Sequence, residues 1–261
     1  MSEIVNAPDL SDEVRAALRR HILSLADTKR ILGLRYSDWL LGAPSIETGI
    51  AASSMSQDEW GHARLLYAML KDFGEDPTGV EHDRPAERYA SIPAVDEPFP
   101  DWAGFVAAMV VVDGALSTAL EGFAEGRFEQ ARSRVPKMLA EEEFHRDMGL
   151  AWLRRLREGS DEARVRIRDA VRAALPGTLA WLAPGDAPFR TLVDAGLTAP
   201  ADVLLKRFDA VYGDALRAAG AESLEPDFSG WDESRGRGSG APAEEVVERA
   251  RGDRNRALLV E

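Results

Sequence analysis

The sequence contains no cysteine and only four histidines among its 261 residues. Without cysteine the chain cannot form disulfides, thiolate zinc sites, a cysteine nucleophile or a protein-bound iron–sulfur cluster. Any metal ion must therefore be held by carboxylates and imidazoles, and only His21, His62, His82 and His145 can supply the imidazoles. Of these, His21 (beside Arg20) and His82 (in a proline-rich segment) are interpreted as surface residues.

Long apolar runs and an excess of positive charge are also missing. The longest apolar run covers residues 104–112, about half the length that a membrane-spanning helix needs. The N-terminal segment is acidic and lacks the apolar core of a signal peptide. With 32 basic and 45 acidic residues the formal net charge is −13, which disfavours binding to the phosphates of nucleic acids. These features predict a cytoplasmic protein with neither a membrane nor a nucleic acid as partner.

The spacing of apolar residues predicts an all-α fold. Four long helices are expected, over about residues 11–41, 45–73, 101–127 and 132–158. Five prolines mark residues 74–100 as a long crossover between two helical hairpins, an arrangement typical of a ferritin-like four-helix bundle. Additional C-terminal helices are predicted over 161–182, 199–219 and 243–251. The sequence thus predicts a bundle domain over residues 1–220 and a polar, flexible tail over 221–261.

Two of the histidines follow a glutamate by three residues. These pairs are Glu59 with His62 and Glu142 with His145, and each falls in the second helix of a predicted hairpin. Residues three apart lie on one face of a helix, so each pair directs a carboxylate and an imidazole at one point. Fewer than one such pair is expected by chance among four histidines. Two pairs on two helices of a bundle are the pattern of di-iron and di-manganese carboxylate sites.

A third carboxylate is expected beside the second pair. Asp113 precedes Glu142 by 29 residues, which places the two side by side across the turn of their hairpin. Asp113 follows three consecutive valines, an apolar setting in which an ionised carboxylate is costly without a partner such as a metal ion. We therefore predict Asp113, Glu142 and His145 as metal ligands. Glu121 lies about 12 Å farther along the helix, too far to share that metal, and is a candidate for a pocket wall.

The first hairpin departs from this symmetry, because Lys29 stands where a carboxylate is expected about 30 residues before Glu59. Asp27 and Asp38 point away from this face of the helix. Lys29 has three interpretations. It replaces one metal ion and pairs with Glu59 or Glu142, leaving a mononuclear site; or it lies beside an intact dinuclear site whose missing ligand is water or substrate. In the third, it is itself a ligand, as a carbamylated lysine or a neutral amine.

Around these residues the sequence resembles the phenylacetyl-CoA epoxidase family of multicomponent bacterial di-iron monooxygenases, over roughly residues 20–160. The similarity to the catalytic component of that family lies in APS (43–45), QDEWGHARLLY (57–67), VDGA (112–115) and EEEFH (141–145). The similarity to its metal-free structural component lies in LAD (25–27), ILGLR (31–35), SDW (37–39), GHAR (61–64) and the tail segment 231–238.

The resemblance implies a set of five metal ligands, which are Glu59, His62, Asp113, Glu142 and His145. The sequence departs from the catalytic component at Lys29, where that component has a glutamate ligand. It departs again at Met55, where the catalytic component has a lysine near the site. We therefore expect Glu59 and Glu142 to carry the chemistry, with Lys29 modulating or replacing a ligand.

Together these features predict a non-haem iron protein with one or two ions per chain, manganese being the alternative metal. The expected activity is O2-dependent oxidation of a small organic substrate, for which the resemblance implies an aryl- or acyl-CoA thioester. Because the chain has neither cysteine nor a dinucleotide-binding motif, an external electron donor or reductase would supply the electrons. The alternatives are a non-catalytic structural subunit of a similar oxygenase and an iron-storage protein. A homodimer, or a heterodimer with a related subunit, is the expected assembly.

Overall fold

The computed structural model describes residues 3–258, and every extended regular element within that range is helical. In chain order the helices are α1 (Asp12–Ser37), α2 (Ile46–Ala68), α3 (Pro77–His82), α4 (Trp102–Glu125), α5 (Glu129–Arg157), α6 (Asp161–Leu182), α7 (Ala187–Asp194), α8 (201–218), α9 (Glu244–Arg251) and α10 (Asp253–Arg256). The long helices α1, α2, α4 and α5 form the bundle. The predicted all-α, ferritin-like fold is confirmed.

The starts of the long helices follow from their capping residues. The side-chain oxygens of Ser11, Ser45 and Asp101 each accept a hydrogen bond from the backbone N–H three residues on, at 3.0–3.4 Å. Such caps satisfy N–H groups that the first turn of a helix leaves free. At its other end α2 tightens into a 3-10 turn that stops at Gly74, whose φ of +76° lies in the left-handed region that favours glycine.

The second hairpin supplies the most apolar helix of the chain. Within α4 an 18-residue window has a mean hydropathy of 1.8, and 89% of that window is buried. Length and composition alone would suffice to cross a membrane, but a core helix of a soluble protein passes the same test, and this burial is typical of one. The proline-rich crossover packs on the bundle too, since Tyr89, Ile92 and Val95 are fully buried.

Two helices contain a π-helical segment. The first, Ala108–Asp113, lies inside α4 and ends at the aspartate predicted as a ligand. The second, Asp209–Gly213, lies inside α8. A π turn adds one residue to a turn of helix and is frequent at functional sites. Neither segment was predicted, because apolar spacing does not distinguish a π turn from an α turn.

The C-terminal third contains α6, α8 and α9, all of which the spacing predicts, and also α7, which it does not. Helix α7 begins from a local cap, in which Asp186 Oδ1 accepts a hydrogen bond from the Phe189 N–H at 3.0 Å. The position of this short helix therefore follows from its capping residue rather than from amphipathic spacing.

Residues 221–258, within the predicted flexible tail, lie against the bundle. Arg237 is fully buried, pairs with Asp96 and donates to Ser91 Oγ at 3.1 Å. Val247 of α9 is fully buried as well. The domain division at residue 220 stays a prediction. The packing shows that this polar segment contacts the bundle through buried charges, which its composition alone does not reveal.

Gly33 sets the distance between α1 and α2 beside the predicted ligands. A Cβ atom at this position would lie 2.6 Å from Trp60 Nε1 and 3.1 Å from Glu59 Cβ. We expect Gly33→Ala to lower the free energy of unfolding by about 1–3 kcal/mol, because the indole ring and the helix must move.

Gly61→Ala is the matched control for this prediction. No heavy atom lies within 4 Å of a Cβ at residue 61, so the better helix propensity of alanine should leave stability unchanged or raise it by up to ~1 kcal/mol. Urea unfolding of both variants measures the difference. A Gly33→Ala variant as stable as the parent protein would contradict the close approach of the two helices.

Candidate metal centre

Six side chains singled out from the sequence meet in the middle of the bundle. They are Lys29 from α1, Glu59 and His62 from α2, Asp113 from α4, and Glu142 and His145 from α5. None of the six exposes more than 3% of its surface. The two Glu-x-x-His pairs therefore face each other across the bundle, together with the aspartate and the lysine. We call these six residues the central cluster.

Lys29 is bound by three carboxylates. Its Nζ donates to Glu59 Oε1 at 2.8 Å, to Asp113 Oδ1 at 2.9 Å and to Glu142 Oε1 at 2.5 Å. An ammonium group has three protons, so these contacts use its full donor capacity. The pairing with Glu59 and Glu142 is the one that the first interpretation of Lys29 predicts, and the Asp113 contact is additional. Asp27 points away toward the crossover, as its position on α1 predicts.

His145 faces the other oxygens of two of these carboxylates. Its Nδ1 lies 2.9 Å from Asp113 Oδ2, 3.4 Å from Glu142 Oε2 and 3.4 Å from Glu59 Oε1. One ligand atom from each of these four residues lies within 4.8 Å of the others. A divalent ion with bonds of about 2.1 Å separates its neighbouring ligand atoms by about 3.0–3.4 Å. The spacing around His145 therefore suits one metal ion.

Two buried ligand atoms of the central cluster, Glu59 Oε2 and His62 Nδ1, have no hydrogen-bond partner among residues 3–258. The latter lies 2.9 Å from Glu142 Oε1, but not in the orientation of a hydrogen bond. Buried polar atoms in native proteins are nearly always satisfied, so an unpartnered carboxylate oxygen inside a donor set points to a missing ligand. The residues present thus fit a metal ion beside His145.

His62 lies on the Lys29 side of the central cluster rather than in the group of four around His145. It contacts Glu142 through the same oxygen, Oε1, that accepts from Lys29. The second nitrogen of each imidazole contacts a carboxylate outside the central cluster. His62 Nε2 lies 2.7 Å from Glu141 Oε2, and His145 Nε2 lies 3.4 Å from Asp58 Oδ2. Such outer carboxylates orient histidines that bind metals.

The electrostatics of the central cluster show strong coupling between its charges. Burial acts to lower the pKa of Lys29, but attraction by Asp113, Glu142 and Glu59 raises that pKa well above 10.5. Burial acts to raise the pKa of Glu142, yet Lys29 and the hydrogen bond from His145 hold it well below 4.5. Burial together with repulsion by Asp113 raises the pKa of Glu59 to about 7. Of the two glutamates, Glu59 is therefore the one that takes up a proton more readily.

The two histidines favour their protonated forms when no metal is bound. Burial acts to lower the pKa of His145, but hydrogen bonds to Asp113, Asp58 and two further carboxylates raise it far above 6.5. Burial acts to lower the pKa of His62 too, but the contact with Glu142 and the attraction by Glu142 and Glu59 together outweigh burial and repulsion by Lys29, and raise that pKa above 6.5. Three ionised carboxylates and one ammonium leave a formal charge of −2. Either two imidazolium protons or one divalent ion with neutral imidazoles balances that charge.

Two hydroxyl groups that bind the central cluster were not predicted. Tyr36 is fully buried and its OH donates to Asp113 Oδ2 at 3.0 Å. Ser117 Oγ donates to Glu142 Oε2 at 3.3 Å. Tyr36 lies two helical turns after Lys29, and Ser117 one turn after Asp113, so both share a face with a predicted site residue. This helical spacing is the sequence signal from which Tyr36 and Ser117 could have been predicted.

The other two histidines lie outside the central cluster, and both are partly buried rather than fully exposed as the sequence suggested. The His21 ring packs edge-on against Phe123 with centroids 5.1 Å apart, and its Nε2 is buried without a partner. Burial lowers the pKa of His21 to about 4. The helix α7, which was not predicted, covers this face. His82 is partly buried beside Glu81, which forms an ion pair with Arg30 at 2.5 Å.

The amino-acid sequence matches one protein-family model and is similar to individual proteins whose names are known. Residues 1–255 match the family model described as phenylacetic acid catabolic protein. Two different subunits of the 1,2-phenylacetyl-CoA epoxidase of Escherichia coli K12 are similar as well. The first is 26% identical over 157 residues, which cover 59% of this chain and 63% of that relative. The second is 25% identical over 180 residues, which cover 68% of this chain and 57% of that relative.

The matched regions span less than two thirds of either relative. The family match, in contrast, covers nearly the whole chain, including all six residues of the central cluster. This chain therefore belongs to the phenylacetic acid catabolic protein family.

Proposed function

We propose that this protein is a cytoplasmic non-haem iron oxidoreductase that uses O2 to oxidise a small organic substrate, and that it holds one metal ion per chain. One observation supports a single ion. In both Asp113 and Glu142, one carboxylate oxygen contacts Lys29 and the other oxygen faces His145. The ammonium group fills one side of the carboxylates, and the other side is bounded by four ligand residues. Manganese is the alternative metal.

Charge supports one ion over two. Counted over the six residues of the central cluster with neutral imidazoles, three carboxylates and Lys29 are balanced by one divalent ion. A second ion would leave an excess of two positive charges in this buried cluster, where among residues 3–258 only the partly exposed carboxylates of Glu141 and Asp58 contact the imidazoles from outside. Uncompensated buried charge costs several kcal/mol. The lysine therefore takes the place of one ion of a dinuclear site, as in the first interpretation of the sequence.

The residues that would hold the ion are Glu59, Asp113, Glu142 and His145. Iron bound there would supply the one-electron chemistry that reaction with O2 requires. Lys29 holds one oxygen of each carboxylate, and Tyr36 orients Asp113 from the side. These contacts keep the donor set in one geometry before any ion binds, which lowers the cost of ordering it.

The proposal of a substrate class and of partners is based on the names of the two relatives. Both are named as parts of a phenylacetyl-CoA epoxidase, so an aryl- or acyl-CoA thioester is the substrate class that we propose. Within such an assembly, the chain would pair with a copy of itself or with a related subunit. Since the chain has no cysteine, the electrons would come from a separate donor or reductase.

Oxygen uptake by the iron-loaded protein tests this function. Protein reconstituted with Fe²⁺ is supplied with phenylacetyl-CoA and an external reductant, and substrate-dependent O2 consumption is measured. Glu142→Gln removes a ligand of the site and should abolish both metal binding and O2 uptake. Glu158→Gln is the matched control, because this glutamate directly follows α5, is exposed and lies outside the central cluster. Equal O2 uptake by the two variants would contradict the proposed site.

A second candidate is a non-catalytic structural subunit of a similar oxygenase. It is favoured by the charge balance of the metal-free form, in which Lys29 and two imidazolium groups neutralise the three carboxylates without any ion. Metal content separates the two functions: below about 0.2 ions per chain after growth with iron, the structural role replaces the oxidoreductase.

Proton release on metal binding is the pH-dependent prediction for this site. The imidazole of a ligand must be neutral, and the positive charge of the ion also disfavours a neighbouring imidazolium group. An ion that enters near pH 7 should therefore displace one proton from its ligand His145 and one from the nearby His62. We expect about two protons to be released per Mn²⁺ bound, measured by calorimetry in buffers of different ionisation enthalpy. The raised folded-state pKa values mean that affinity rises with pH, because protons compete less well at higher pH. Release of fewer than about 0.5 protons per ion would contradict the imidazolium form.

A further inference from the structure

A series of aromatic rings in contact links the central cluster to the surface of the bundle. It begins at Tyr36, whose OH donates to Asp113 Oδ2 at 3.0 Å. The ring centroids of Tyr36 and Phe105 lie 5.1 Å apart, and Phe105 stacks on Trp102 at 4.4 Å with an interplanar angle of 14°. Trp102 in turn contacts Trp152 edge-on at 5.2 Å. We call Tyr36, Phe105, Trp102 and Trp152 the aromatic path.

The two ends of the aromatic path differ in their exposure to solvent. Tyr36 and Phe105 are fully buried, and Trp102 exposes 9% of its surface. Trp152 is partly exposed, and the guanidinium carbon of Arg155 lies 4.8 Å from the centroid of its ring. The aromatic path therefore runs from a carboxylate of the central cluster to a ring that a molecule in solution can contact.

Trp39 forms a side branch of the aromatic path. Its ring centroid lies 5.7 Å from that of Trp102 and 6.1 Å from that of Phe105, and the residue is partly exposed. A charge that enters at Trp39 therefore reaches the same central rings. Trp152 is thus one of two entrances, and a single route can be followed only when charge is injected at a defined position.

The proton acceptors along the aromatic path distinguish it from the ring contacts that are common in protein cores. Tyrosine and tryptophan rings lose one electron more readily than phenylalanine, and the oxidised ring is a much stronger acid. The N–H of Trp102 is buried with no hydrogen-bond partner among residues 3–258, so its proton has no acceptor. The OH of Tyr36, in contrast, already donates to a carboxylate. An electron vacancy on Trp102 therefore stays mobile, whereas one on Tyr36 is trapped when the proton moves to Asp113.

We propose that the aromatic path carries single electrons between a donor at the protein surface and Tyr36. Its use as the entrance for electrons rests on the proposed oxidoreductase function. In one passage Tyr36 gives up one electron to the oxidised site beside it, and its phenolic proton moves to Asp113 Oδ2. Trp102 and then Trp152 replace that electron, and an external one-electron donor, such as a reduced flavin, restores Trp152. The proton returns to Tyr36, and the net change is one electron moved inward.

The absence of cysteine allows a site-specific test, because one introduced cysteine is the only thiol of the chain. In Arg155→Cys, a ruthenium polypyridyl photo-oxidant is attached beside Trp152, in metal-free full-length protein with a cobalt(III) ammine as the sacrificial electron acceptor. A flash produces ruthenium(III), which takes one electron from the aromatic path and returns to ruthenium(II). We expect a neutral tyrosyl radical, identified by its optical and electron paramagnetic resonance spectra.

A label on Lys137→Cys is the matched control for the position of injection. Lys137 is exposed and lies on α5 on the other side of His145 from Trp152. Along the helix it is about 12 Å from His145, whereas Arg155 is about 15 Å from it. Although the control label is no farther from the central cluster along α5, we expect its yield of tyrosyl radical to be at least tenfold lower.

Two variants in the Arg155→Cys background identify the rings that carry the charge. Tyr36→Phe keeps the ring and removes the OH, so the tyrosyl signal should disappear and a tryptophanyl signal should remain. Trp102→Phe should slow formation of the tyrosyl radical at least tenfold. Circular dichroism checks that both variants fold, and the tryptophanyl signal in Tyr36→Phe shows that injection of charge still occurs.

The outcomes separate the aromatic path from the metal site. A tyrosyl signal that persists in Tyr36→Phe, no tyrosyl radical from Arg155→Cys, or equal yields from the two attachment sites overturns the proposal. Metal content is measured on the parent protein. One ion per chain without transfer of charge to Tyr36 refutes the aromatic path alone. Transfer to Tyr36 in a protein that takes up no metal supports the aromatic path and refutes the proposed oxidoreductase.

Discussion

Lys29→Glu is expected to raise the metal content from one ion per chain to two. The substitution removes the ammonium group that uses Glu59 Oε1 and Glu142 Oε1, and adds a carboxylate on the same side as His62. With neutral imidazoles, four carboxylates balance two divalent ions, as three carboxylates and one ammonium balance one. The unpartnered His62 Nδ1 is then available as a ligand of the second ion. Elemental analysis after reconstitution with excess Mn²⁺ and gel filtration gives the stoichiometry.

Lys206→Glu is the control for this change, because Lys206 is exposed and forms an ion pair with the exposed Asp202, far from the central cluster in the sequence. The same charge change there should leave one ion per chain. If Lys29→Glu still holds one ion, the ammonium group does not occupy a metal position, and the first interpretation of Lys29 is wrong. If both variants gain metal, the extra ions bind to the acidic surface.

Lys29→Met is expected to destabilise the metal-free protein by about 3–5 kcal/mol at pH 7. Removing one partner of a buried ionic cluster leaves the remaining charges uncompensated, here the three carboxylates of Glu59, Asp113 and Glu142. Because the folded-state pKa of Lys29 is raised above 10.5, its contribution is fully present at neutral pH and is lost only as the pH rises above that value. Urea unfolding in the presence of a chelator measures the loss.

The pH dependence of the variant gives this prediction a second readout. As the pH falls below about 7, Glu59, whose pKa is raised to about 7 even beside Lys29, takes up a proton first, so the difference from the parent protein should shrink. Addition of Mn²⁺ at pH 7 should recover part of the stability, since the ion neutralises the same carboxylates. Lys206→Met, at an exposed position, should leave the urea midpoint unchanged. A Lys29→Met protein as stable as the parent at pH 7 would show that the three contacts contribute little.

Much of the fold could be predicted from the sequence, because the strongest signals in it are periodic. The four bundle helices, α6 and α8 follow from apolar spacing and from breakers such as Gly74. The two Glu-x-x-His pairs and Asp113 meet as their helical positions predict, because spacing fixes the face of a helix on which a side chain lies. The family was recognisable from the same residues.

What could not be predicted depends on contacts between segments that are distant in the sequence. The spacing predicted Lys29 as a partner of Glu59 or Glu142. It could not show that Lys29 also binds Asp113, because that contact depends on how far α1 and α4 are shifted relative to each other along the bundle axis. The π segments change this shift locally, and the spacing of apolar residues in the sequence does not reveal them. The burial of His21 and Arg237 depends on segments that reach across the bundle from the C-terminal third.

Lys29 is as important to the central cluster as the predicted ligands are. It is the one residue of the central cluster that departs from the dinuclear pattern, and it binds every carboxylate in that cluster. Both the number of ions and the stability of the metal-free form depend on it. A pocket lined by Ser117, Glu121 and Glu142 connects the same carboxylates to solvent.

The number of divalent ions per chain in the unmodified protein tests the central claim most directly. Metal-free protein is titrated with Mn²⁺ and bound ions are counted by electron paramagnetic resonance and elemental analysis. We expect one ion per chain, lost in Glu142→Gln and retained in Glu158→Gln. Two ions per chain, or fewer than about 0.2, would contradict a single metal ion held beside Lys29.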